Sequence, residues 1–371
     1  MGRQIFELIM QAKNKKVFVG VSGGVDSSVA LALLKQEGCD VTGVFLKVWS
    51  PDFLPCDWRE ERRSAMRVCA TLGVPFLTLD CEKEYKEEVV DYMIREYSAG
   101  RVPNPDIYCN KYVKFGVFLR KALELGADYI ATGHYARKVE SEIQYELFEA
   151  KDKNKDQSYF LYTLTQDQLK HTLFPIGHLT KPEVRKLAKR FGLPTAEKKD
   201  SQGLCFIGKV DMKEFLLHYI QKKRGNVLNA KGEIIGEHDG AVFFAIGQRH
   251  GFEITKKGSE DPRCFVVSKD LGANTITVAS KDLENEIVTS VKEISIQKIH
   301  FISGEEPCFP LEVTCRIRYR QEKHRCTIKK ESSKYIVHFS EFQDGVSIGQ
   351  SIVLYDGEVC IGGGIIENIG K

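Results

Sequence analysis

A glycine pair and several short polar residues at positions 22–28 have the clearest capacity for chemistry in this sequence. The chain reads FVGVSGGVDSSVALALL from Phe18, so an apolar run ends there and a run with helical spacing comes next. Glycines let a backbone turn tightly, and the N–H groups of a helix start bind anions. Ser22, Ser27 and Ser28 add hydroxyl donors. The pattern predicts a phosphate-binding turn, and a serine-capped glycine turn without a ligand is the alternative.

The predicted turn differs from two common nucleotide-binding motifs. It lacks Gly-Lys-Ser/Thr, so it is not a Walker A loop, and it does not read G-x-G-x-x-G, which disfavours a dinucleotide fold. It resembles instead the PP-loop, SGGxDS, of the ATP pyrophosphatases, and we use the name PP-loop for residues 22–27. The resemblance implies cleavage of ATP between its α- and β-phosphates, adenylation of a substrate and release of pyrophosphate. It leaves the acceptor open.

Cys109 and Cys205 are cysteines in polar segments flanked by lysines. Cys109 lies in RVPNPDIYCNKYVKF, where the prolines on either side of Asn104 exclude a helix across that residue and favour an ordered loop. Asp106 precedes this cysteine by three residues. Cys205 lies in EKKDSQGLCFIG. Cations beside a thiol favour the reactive thiolate, so the two cysteines are candidates for thiol chemistry, with a structural role as the alternative for each.

The remaining cysteines indicate a reducing environment. None of the eleven cysteines forms a C-x-x-C pair, which argues against a zinc ribbon and a thioredoxin-type motif. An odd number of cysteines without a secretion signal favours reduced thiols. Those within apolar strand-like or helix-like runs are expected to be buried: Cys39, Cys69, Cys81, Cys315 and Cys360.

Composition and charge are those of an ordinary soluble protein. The chain has 371 residues, a net charge of +3, 42% hydrophobic and 28% charged residues. No apolar run reaches the roughly 18 residues that span a bilayer. The N-terminus does not read as a signal peptide, because Glu7 and Gln11 interrupt any apolar segment. We expect a cytoplasmic protein that makes no membrane contact.

One stretch, residues 315–330, is strongly basic. It reads CRIRYRQEKHRCTIKK and holds seven Lys/Arg and one Glu. Such a stretch is typical of a surface that faces RNA or phosphate. A solvated face of an antiparallel strand pair is the alternative.

The elements that position these residues predict an α/β protein. Strand-like and helix-like runs alternate over the first two hundred residues, which predicts a parallel, Rossmann-like sheet whose ligands bind at the carboxyl ends of the strands. Residues 208–225 read as a helix, and the pattern from about Leu283 onward is nearly all β, as in a barrel or sandwich. We expect a PP-loop ATP-binding catalytic domain at 1–205, a small central domain at 206–282 and a C-terminal β-barrel at 283–371, to which the family resemblance described next assigns tRNA binding.

Eight segments taken together give the sequence a family resemblance. GVSGGVDSS, RVPNPDIYCNKYVKFG, DYIATGHYA, KDQSYFLYTL, KKDSQGLCFIG, GQRHG, RIRYRQ and GEVCIGGGIIE occur in this order and resemble the tRNA-specific 2-thiouridylases. The likeness runs from about Lys16 to the C-terminus. It implies a PP-loop domain, a central domain and a C-terminal barrel. It also implies ATP-dependent replacement of oxygen by sulfur at C2 of the wobble uridine.

The resemblance implies roles for individual residues. ATP would be bound by Gly20, Val21, Ser22, Gly23, Gly24, Val25, Asp26, Ser27, Leu46 and Gly133, with Mg²⁺ at the phosphates and Asp26 as a candidate to place it. Leu46 falls where the family commonly has methionine against the adenine, and we expect an apolar wall there still. The target base would contact Asn104, Pro105 and Asp106, and Asp106 would be the general acid or base. Other tRNA contacts would come from Lys155, Asp156, Gln157, Arg318 and Tyr319.

The resemblance also implies the course of the reaction. Adenylation turns the O2 of uracil into AMP, a good leaving group, and a persulfide on Cys205 then attacks C2. Cys109 resolves the sulfur bridge as a nucleophile and leaves a transient Cys109–Cys205 disulfide. Such a bond requires Cα atoms within about 4.4–6.8 Å of one another. The expected partners are the anticodon arm of tRNA and a sulfur-donor protein.

Three other interpretations stay open from the sequence alone. A PP-loop ligase that acts on a small metabolite needs neither the cysteine pair nor a basic barrel. A thiolase with an iron–sulfur cluster is disfavoured because the sequence has no C-x-x-C pair to hold the cluster. A non-catalytic RNA-binding module would not need an intact PP-loop and both cysteines.

Overall fold

The computed structural model describes residues 12–53, 58–199, 211–255, 264–280 and 290–370. Its helices are α1 Val25–Gln36, α2 Trp58–Leu72, α3 Glu82–Tyr85, α4 Asp91–Ser98, α5 Pro105–Tyr108, α6 Leu119–Glu124, α7 Gln166–Lys170, α8 Lys181–Arg190 and α9 Met212–Leu217. Two π-helical segments, π1 Lys86–Val90 and π2 Cys109–Phe118, join α3 to α4 and α5 to α6. Short 3-10 turns occupy Ser158–Phe160 and Ala241–Phe243. No helix among the described residues is long and apolar enough to cross a membrane.

The strands fall into three sheets. They are β1 Lys16–Gly20, β2 Asp40–Lys47, β3 Phe76–Asp80, β4 Tyr129–Ala131, β5 Ala136–Glu140, β6 Tyr145–Glu149, β7 Thr172–Leu173, β8 Gly225–Leu228, β9 Ile234–His238, β10 Phe252–Ile254, β11 Cys264–Asp270, β12 Thr275–Ser280, β13 Ser290–Phe301, β14 Leu311–Arg316, β15 His324–Glu331, β16 Lys334–Asp344, β17 Ser351–Asp356 and β18 Val359–Ile369.

The N-terminal sheet is parallel, and its order creates a binding crevice. Its described strands run β3-β2-β1-β4-β7, and every pairing is parallel. The chain leaves β1 toward β2 on one side, and β4 later pairs on the other side. Such a switch in strand order opens a crevice at the carboxyl ends of the strands involved. The residues that come directly after β1 and β4, including the PP-loop, therefore meet at one place.

Alternation along β1 decides which helices cover which face of this sheet. Val17 and Val19 lie in the buried cluster that includes α1, α2 and α8. Phe18 points to the opposite face, where the cluster includes Cys109 and Phe118. Side chains of successive strand residues alternate between faces, so one strand buries both of its faces, as a parallel sheet requires.

The segment that carries Cys109 is helical, and the prediction of a loop there was wrong from residue 105 onward. Pro105 is the first residue of α5, where a missing N–H costs nothing, and Asn104 caps the helix in an extended conformation. The Asn104 side chain accepts a hydrogen bond from the backbone N–H of Ile107 at 3.4 Å. We use the name Cys109 helix for residues 105–124, which comprise α5, π2 and α6. Asn104 lies outside the helix, as the two prolines predicted, and Pro105 is the first residue of the helix.

The C-terminal strands form the predicted barrel, and a hairpin from the N-terminal half extends it. Among the described residues the order is β13-β16-β15-β14-β17-β18, and a pairing between β13 and β18 closes the barrel. The hairpin β5–β6 joins at β18. The predicted α/β class with a C-terminal barrel is thus confirmed, and the domain boundaries stay a prediction.

The central part of the chain is mostly β. Its described strands run β10-β9-β8-β12-β11, with β8 and β12 parallel and the other pairs antiparallel. The helix predicted for residues 208–225 covers only Met212–Leu217 of the described residues, and Gly225 already belongs to β8. The side chain of Asp211 accepts a hydrogen bond from the backbone N–H of Glu214 and so caps the start of this helix. The sequence periodicity did not indicate this start.

Candidate active site at the carboxyl ends of strands β1 and β4

The PP-loop comprises the hydrogen-bonded turn after β1 and the first residues of α1. The backbone N–H of Ser22 donates to Oγ of Ser27 at 3.2 Å, and the Ser27 hydroxyl donates to the carbonyl of Gly24 at 3.3 Å. Ser28 donates to the same carbonyl at 2.7 Å. Gly24 is the N-cap of α1, so the free N–H groups and the positive dipole end of the helix face the turn. The predicted turn at a helix N-terminus is present. The hydroxyl groups of Ser27 and Ser28 already donate hydrogen bonds within the loop.

Gly23 is required by its backbone and by its surroundings. Its φ is +75°, a conformation that favours glycine, and an added Cβ would lie 2.5 Å from the carbonyl oxygen of Glu61. Two further residues secure the same point of the loop. Ser64 Oγ and Lys198 Nζ donate to the Gly23 carbonyl at 3.1 and 3.0 Å. The carbonyl of Gly23 is therefore held by two side chains from other parts of the chain.

Gly133 brings the end of β4 against the start of α1. An added Cβ would lie 2.5 Å from the backbone nitrogen of Ser27 and 2.8 Å from the carbonyl carbon of Asp26. The predicted nucleotide-binding residue Gly133 therefore lies in direct contact with the PP-loop. Of the other predicted ATP-binding residues, Val21 and Val25 are core residues that fix the ends of the loop.

Gly20 and Leu46 connect the PP-loop to the Cys109 helix. An added Cβ on Gly20 would meet the ring of Phe118, from π2, at 3.4 Å. Leu46, on β2, is buried in the same cluster as Cys109 and Phe118. It thus lines the face of the sheet that the Cys109 helix covers. Its predicted contact with adenine stays a prediction.

Asp26 is engaged by residues that the sequence reasoning did not identify. Lys181, the first residue of α8, donates to both carboxylate oxygens at 2.7 and 2.8 Å. The hydroxyl of Tyr135 donates to Oδ1 at 2.7 Å. The sequence contains a local signal for α8, since Thr180 and Glu183 form a capping box. Nothing local indicated that its first residue reaches a loop 155 positions earlier.

A second lysine binds the loop from the segment that leads to Cys205. Lys198 Nζ lies 2.9 Å from Oε2 of Glu61 as well as on the Gly23 carbonyl. Arg185 donates to the carbonyls of Ala196 and Lys198 at 2.7 and 2.6 Å and holds this segment in place. Cys205 itself lies outside the described residues.

Cys109 and Asp106 lie in successive turns of the Cys109 helix. They are three residues apart, a spacing that places side chains on one helical face. Cys109 is fully buried, whereas Asp106 is half-buried. Asn104 and Pro105 form the start of the helix. An attack by the Cys109 sulfur on another sulfur atom therefore requires the protein around the thiol to open.

His134 and Lys114 link the Cys109 helix to the end of β4. The imidazole Nδ1 lies 2.8 Å from the Thr132 hydroxyl and Nε2 lies 3.4 Å from Lys114 Nζ. Burial, reinforced by the Lys114 charge, lowers the pKa of His134 well below its ordinary value. The ring is neutral at neutral pH and accepts or donates according to its tautomer.

The other cysteines predicted to be buried have structural thiols. Cys39, Cys69, Cys81, Cys315 and Cys360 are all buried, which confirms the expectation. Burial raises the pKa of Cys39, Cys69 and Cys81 to about 11. These thiols are therefore protonated and unreactive at neutral pH.

Asp156 is part of a buried charge cluster rather than an exposed surface. Arg316 donates to Asp156 and to Glu149 at 2.7 Å each, and the side chains of the two acids are 1% and 2% exposed. Asp156 also accepts from the backbone N–H of Ala150 and from Ser158. A direct contact between Asp156 and tRNA would require this cluster to open. The cluster joins the hairpin β5–β6 to the barrel.

The neighbours of Asp156 occupy different positions. The side-chain oxygen of Gln157 accepts from the backbone N–H of Tyr135 at 2.9 Å, and the backbone N–H of Gln157 donates to the Tyr135 carbonyl at 2.8 Å. The hydroxyl of Tyr135 in turn donates to Asp26. Lys155 is half-buried in a turn that its N–H closes on the carbonyl of Asp152. Gln157 is thus linked to the PP-loop through Tyr135.

The basic stretch is divided between the interior and the surface. Arg316 and Lys323 both donate to Glu149 and so serve the fold. Arg318 is exposed and donates to the carbonyl of Asp344 at 2.9 Å, while the ring of Tyr319 packs against Phe160 at 4.5 Å. Arg318 and Tyr319 thus present a cation and an aromatic ring at the junction of barrel and N-terminal domain.

Comparison with known proteins gives matches over nearly the whole chain. Three family models match in order: the tRNA methyl transferase HUP domain at residues 15–209, the tRNA methyl transferase PRC-barrel domain at 213–280 and the aminomethyltransferase beta-barrel domain at 291–366. A protein named tRNA-specific 2-thiouridylase MnmA from Streptococcus thermophilus is 44% identical over 360 residues, which are 96% of each chain. One of the same name from Halalkalibacterium halodurans is 44% identical over 372 residues, 98% of each chain.

The relatives are named for sulfur chemistry, although two of the model descriptions name a methyl transferase. Their similarity favours a thiouridylase over the metabolite ligase considered from the sequence. Among solved structures, the U34-tRNA thiolase NcsA from Methanococcus maripaludis covers 55% of this chain and 69% of that chain at 17% identity. Its TM-score of 0.35 is too low to support an argument.

Proposed function

Because the chain belongs to the tRNA-specific 2-thiouridylases, tRNA sulfurtransferases that thiolate the wobble uridine, we propose that it activates this uridine with ATP. The PP-loop binds the pyrophosphate part of ATP, and uracil O2 attacks the α-phosphate. Pyrophosphate leaves and O2 carries AMP. The observation that carries the proposal is the packing of Gly20, at the end of β1 and directly before the PP-loop, against Phe118 of the Cys109 helix.

The ATP-binding part of the proposal is supported by the loop geometry. The helix N-terminus at Gly24 and the hydroxyl groups of the loop can bind an anion, and Gly133 packs against the backbone of Asp26 and Ser27. We place the adenine against the sheet at Leu46. The pyrophosphate would then lie along residues 22–27, and the α-phosphate would point toward the Cys109 helix.

Magnesium fits this site as an ion that the nucleotide phosphates largely hold. The described residues contain no group of three or more His, Cys, Asp or Glu side chains that could bind a metal alone. Mg²⁺ prefers hard oxygen ligands and is often bound by one or two carboxylates together with phosphates. Asp26 is a suitable carboxylate beside the loop. When bound, the ion would neutralise charge on the phosphates.

Sulfur transfer is assigned to the two cysteines and Asp106. The terminal sulfur of a Cys205 persulfide attacks C2 of the adenylated base, and AMP leaves with the C2–O2 electron pair. The thiolate of Cys109 then attacks Sγ of Cys205. The sulfur–sulfur bond to the base breaks, 2-thiouridine is released, and a Cys109–Cys205 disulfide remains. A thiol reductant and a sulfur-donor protein restore the persulfide for the next turnover.

The position of the Cys205 segment supports this assignment. Lys198 anchors the segment on the Gly23 carbonyl, and Cys205 comes seven residues later in the sequence. Seven residues span at most about 25 Å, so the chain length between Lys198 and Cys205 is compatible with a cysteine that acts at the PP-loop. Asp106, in the turn before Cys109, is the proposed general acid or base.

We assign binding of the anticodon arm to the surface around Arg318 and Tyr319 together with Lys155, and contact with the target base to Asn104, Pro105 and Asp106. RNA outside a paired stem is recognised largely through phosphates and stacking on aromatic rings. An exposed arginine beside a partly buried tyrosine suits both kinds of contact. We propose the cytoplasm, where tRNA is used, as the place of action.

Nucleoside mass spectrometry of unmodified tRNA tests the proposal. Wild-type protein with Mg-ATP and a sulfur donor should yield 2-thiouridine, AMP and pyrophosphate. Cys109→Ser and Cys205→Ser should abolish the thiolated product. Cys308→Ser, at an exposed cysteine, is the matched control and should retain it. Pyrophosphate release without sulfur incorporation by the wild type would show that the acceptor is wrong.

A further inference from the structure

Lys181 occupies a place that helix stability does not explain. It is the first residue of α8, where the positive end of the helix dipole disfavours a cation. Its side chain is 13% exposed, and burial of a lysine costs free energy unless the charge is paired. It is paired with both oxygens of Asp26. A lysine therefore stands beside the PP-loop at the expense of its own helix.

Lys198 makes a similar pair at another residue of the loop. Its ammonium group contacts the Gly23 carbonyl and Glu61. The PP-loop thus has two lysines at its edges, each balanced by a carboxylate. The four charges sum to zero around a turn that, under the proposed function, receives a triphosphate.

A triphosphate cannot enter this neutral arrangement without an exchange of partners. Like charges at close range repel, so Asp26 opposes a phosphate placed beside it. The flexible stem of Lys181 allows its ammonium group to turn from Asp26 to a phosphate oxygen. Asp26 would then be available to a magnesium ion.

We infer that Lys181 is a phosphate-binding residue of the adenylation site, held ready by Asp26 until the nucleotide arrives. The inference deepens the proposed function and rests on ATP binding at the PP-loop. The rival explanation is that Lys181 only fastens α8 to α1. An anchoring lysine would affect unfolding and leave the affinity for phosphate unchanged.

Calorimetric titration with pyrophosphate and with ATP in the presence of EDTA tests the inference, with Mg-ATP measured in parallel. Lys181→Met should weaken metal-free pyrophosphate binding by about tenfold or more. Lys186→Met, at an exposed position of the same helix, is the matched control and should bind as the wild type does. Lys181→Arg, which keeps the charge, should retain most of the affinity.

Asp26→Asn gives an independent test if Lys181→Met fails to fold. Removing this carboxylate should strengthen metal-free pyrophosphate binding, because Lys181 is released and a repulsive charge is lost. The double variant Asp26→Asn/Lys181→Met should lose that gain. Unchanged pyrophosphate affinity in Lys181→Met, or no gain in that affinity in Asp26→Asn, would overturn this inference and leave the proposed function standing. A wild type that binds no Mg-ATP would overturn the proposed function along with it.

Discussion

Replacing Gly133 with alanine tests whether the ends of β1 and β4 must touch for the site to work. The new Cβ would lie 2.5 Å from the Ser27 nitrogen and 2.8 Å from the Asp26 carbonyl carbon, whereas ordinary contact begins at 3.4 Å. These neighbours are backbone atoms at the start of α1, so no side chain can rotate away. The PP-loop would have to retreat by about 1 Å to restore van der Waals contact.

The displacement has two measurable consequences. Overpacking of this kind costs about 1–3 kcal/mol of stability, which urea denaturation would detect. A misplacement of about 1 Å at a reacting centre costs about 100-fold in rate, so 2-thiouridine formation should fall far more than stability. Weaker Mg-ATP binding should accompany it.

Gly272→Ala is the matched control for the Gly133 variant. The same methyl group would there meet only Asp270 Oδ1, at 3.4 Å, in the turn between β11 and β12. This variant should behave as the wild type in all three assays. If Gly133→Ala also bound ATP and thiolated tRNA at the wild-type rate, the claimed contact between Gly133 and the PP-loop would be refuted.

Three further predictions concern charges in the fold. Arg316→Met should cost about 3–5 kcal/mol in chemical denaturation, because two buried carboxylates lose their shared partner; an unchanged midpoint would contradict the buried cluster. Arg318→Ala should weaken tRNA binding, lower the slope of log affinity against log salt concentration by about 1 and leave ATP binding unchanged. Unchanged tRNA affinity would remove this residue from the interface. The folded state holds His134 neutral below its ordinary pKa of 6.5, so the unfolded chain binds the extra proton and stability should fall as the pH drops below that value. The loss of unfolding free energy from one histidine is at most about 1.4 kcal/mol per pH unit. In His134→Asn, the urea concentration at the denaturation midpoint should therefore depend less steeply on pH.

Local signals in the sequence were sufficient for most of the secondary structure around the site. The turn SGGVDS lies between a strand and a helix, as predicted, because glycine conformations and helix capping depend on neighbouring residues only. Gly38 and Gly73, with φ of +84° and +59°, end α1 and α2 as predicted. The exception is Pro105, which was interpreted as a helix breaker and is the first residue of a helix. Proline is excluded from a helix interior but tolerated in the first turn. A proline can therefore begin a helix when the residues that follow it are helical.

The composition of the site depended on contacts between distant parts of the chain. The family resemblance assigned Gly133 to ATP binding, but the sequence did not indicate that the strand order would bring it against Ser27. It assigned Asp156 to the tRNA surface, whereas packing of the hairpin β5–β6 on the barrel buries this residue against Arg316.

The sequence by itself determined the chemistry that is available: an anion-binding turn and two cysteines in lysine-flanked segments. Only the tertiary structure decided that Asp26 is paired with Lys181 and that Cys109 is buried on a helix beside the loop. The physical reason is that backbone conformation is set by near neighbours, while ion pairs and burial are set by topology, which joins residues more than a hundred positions apart.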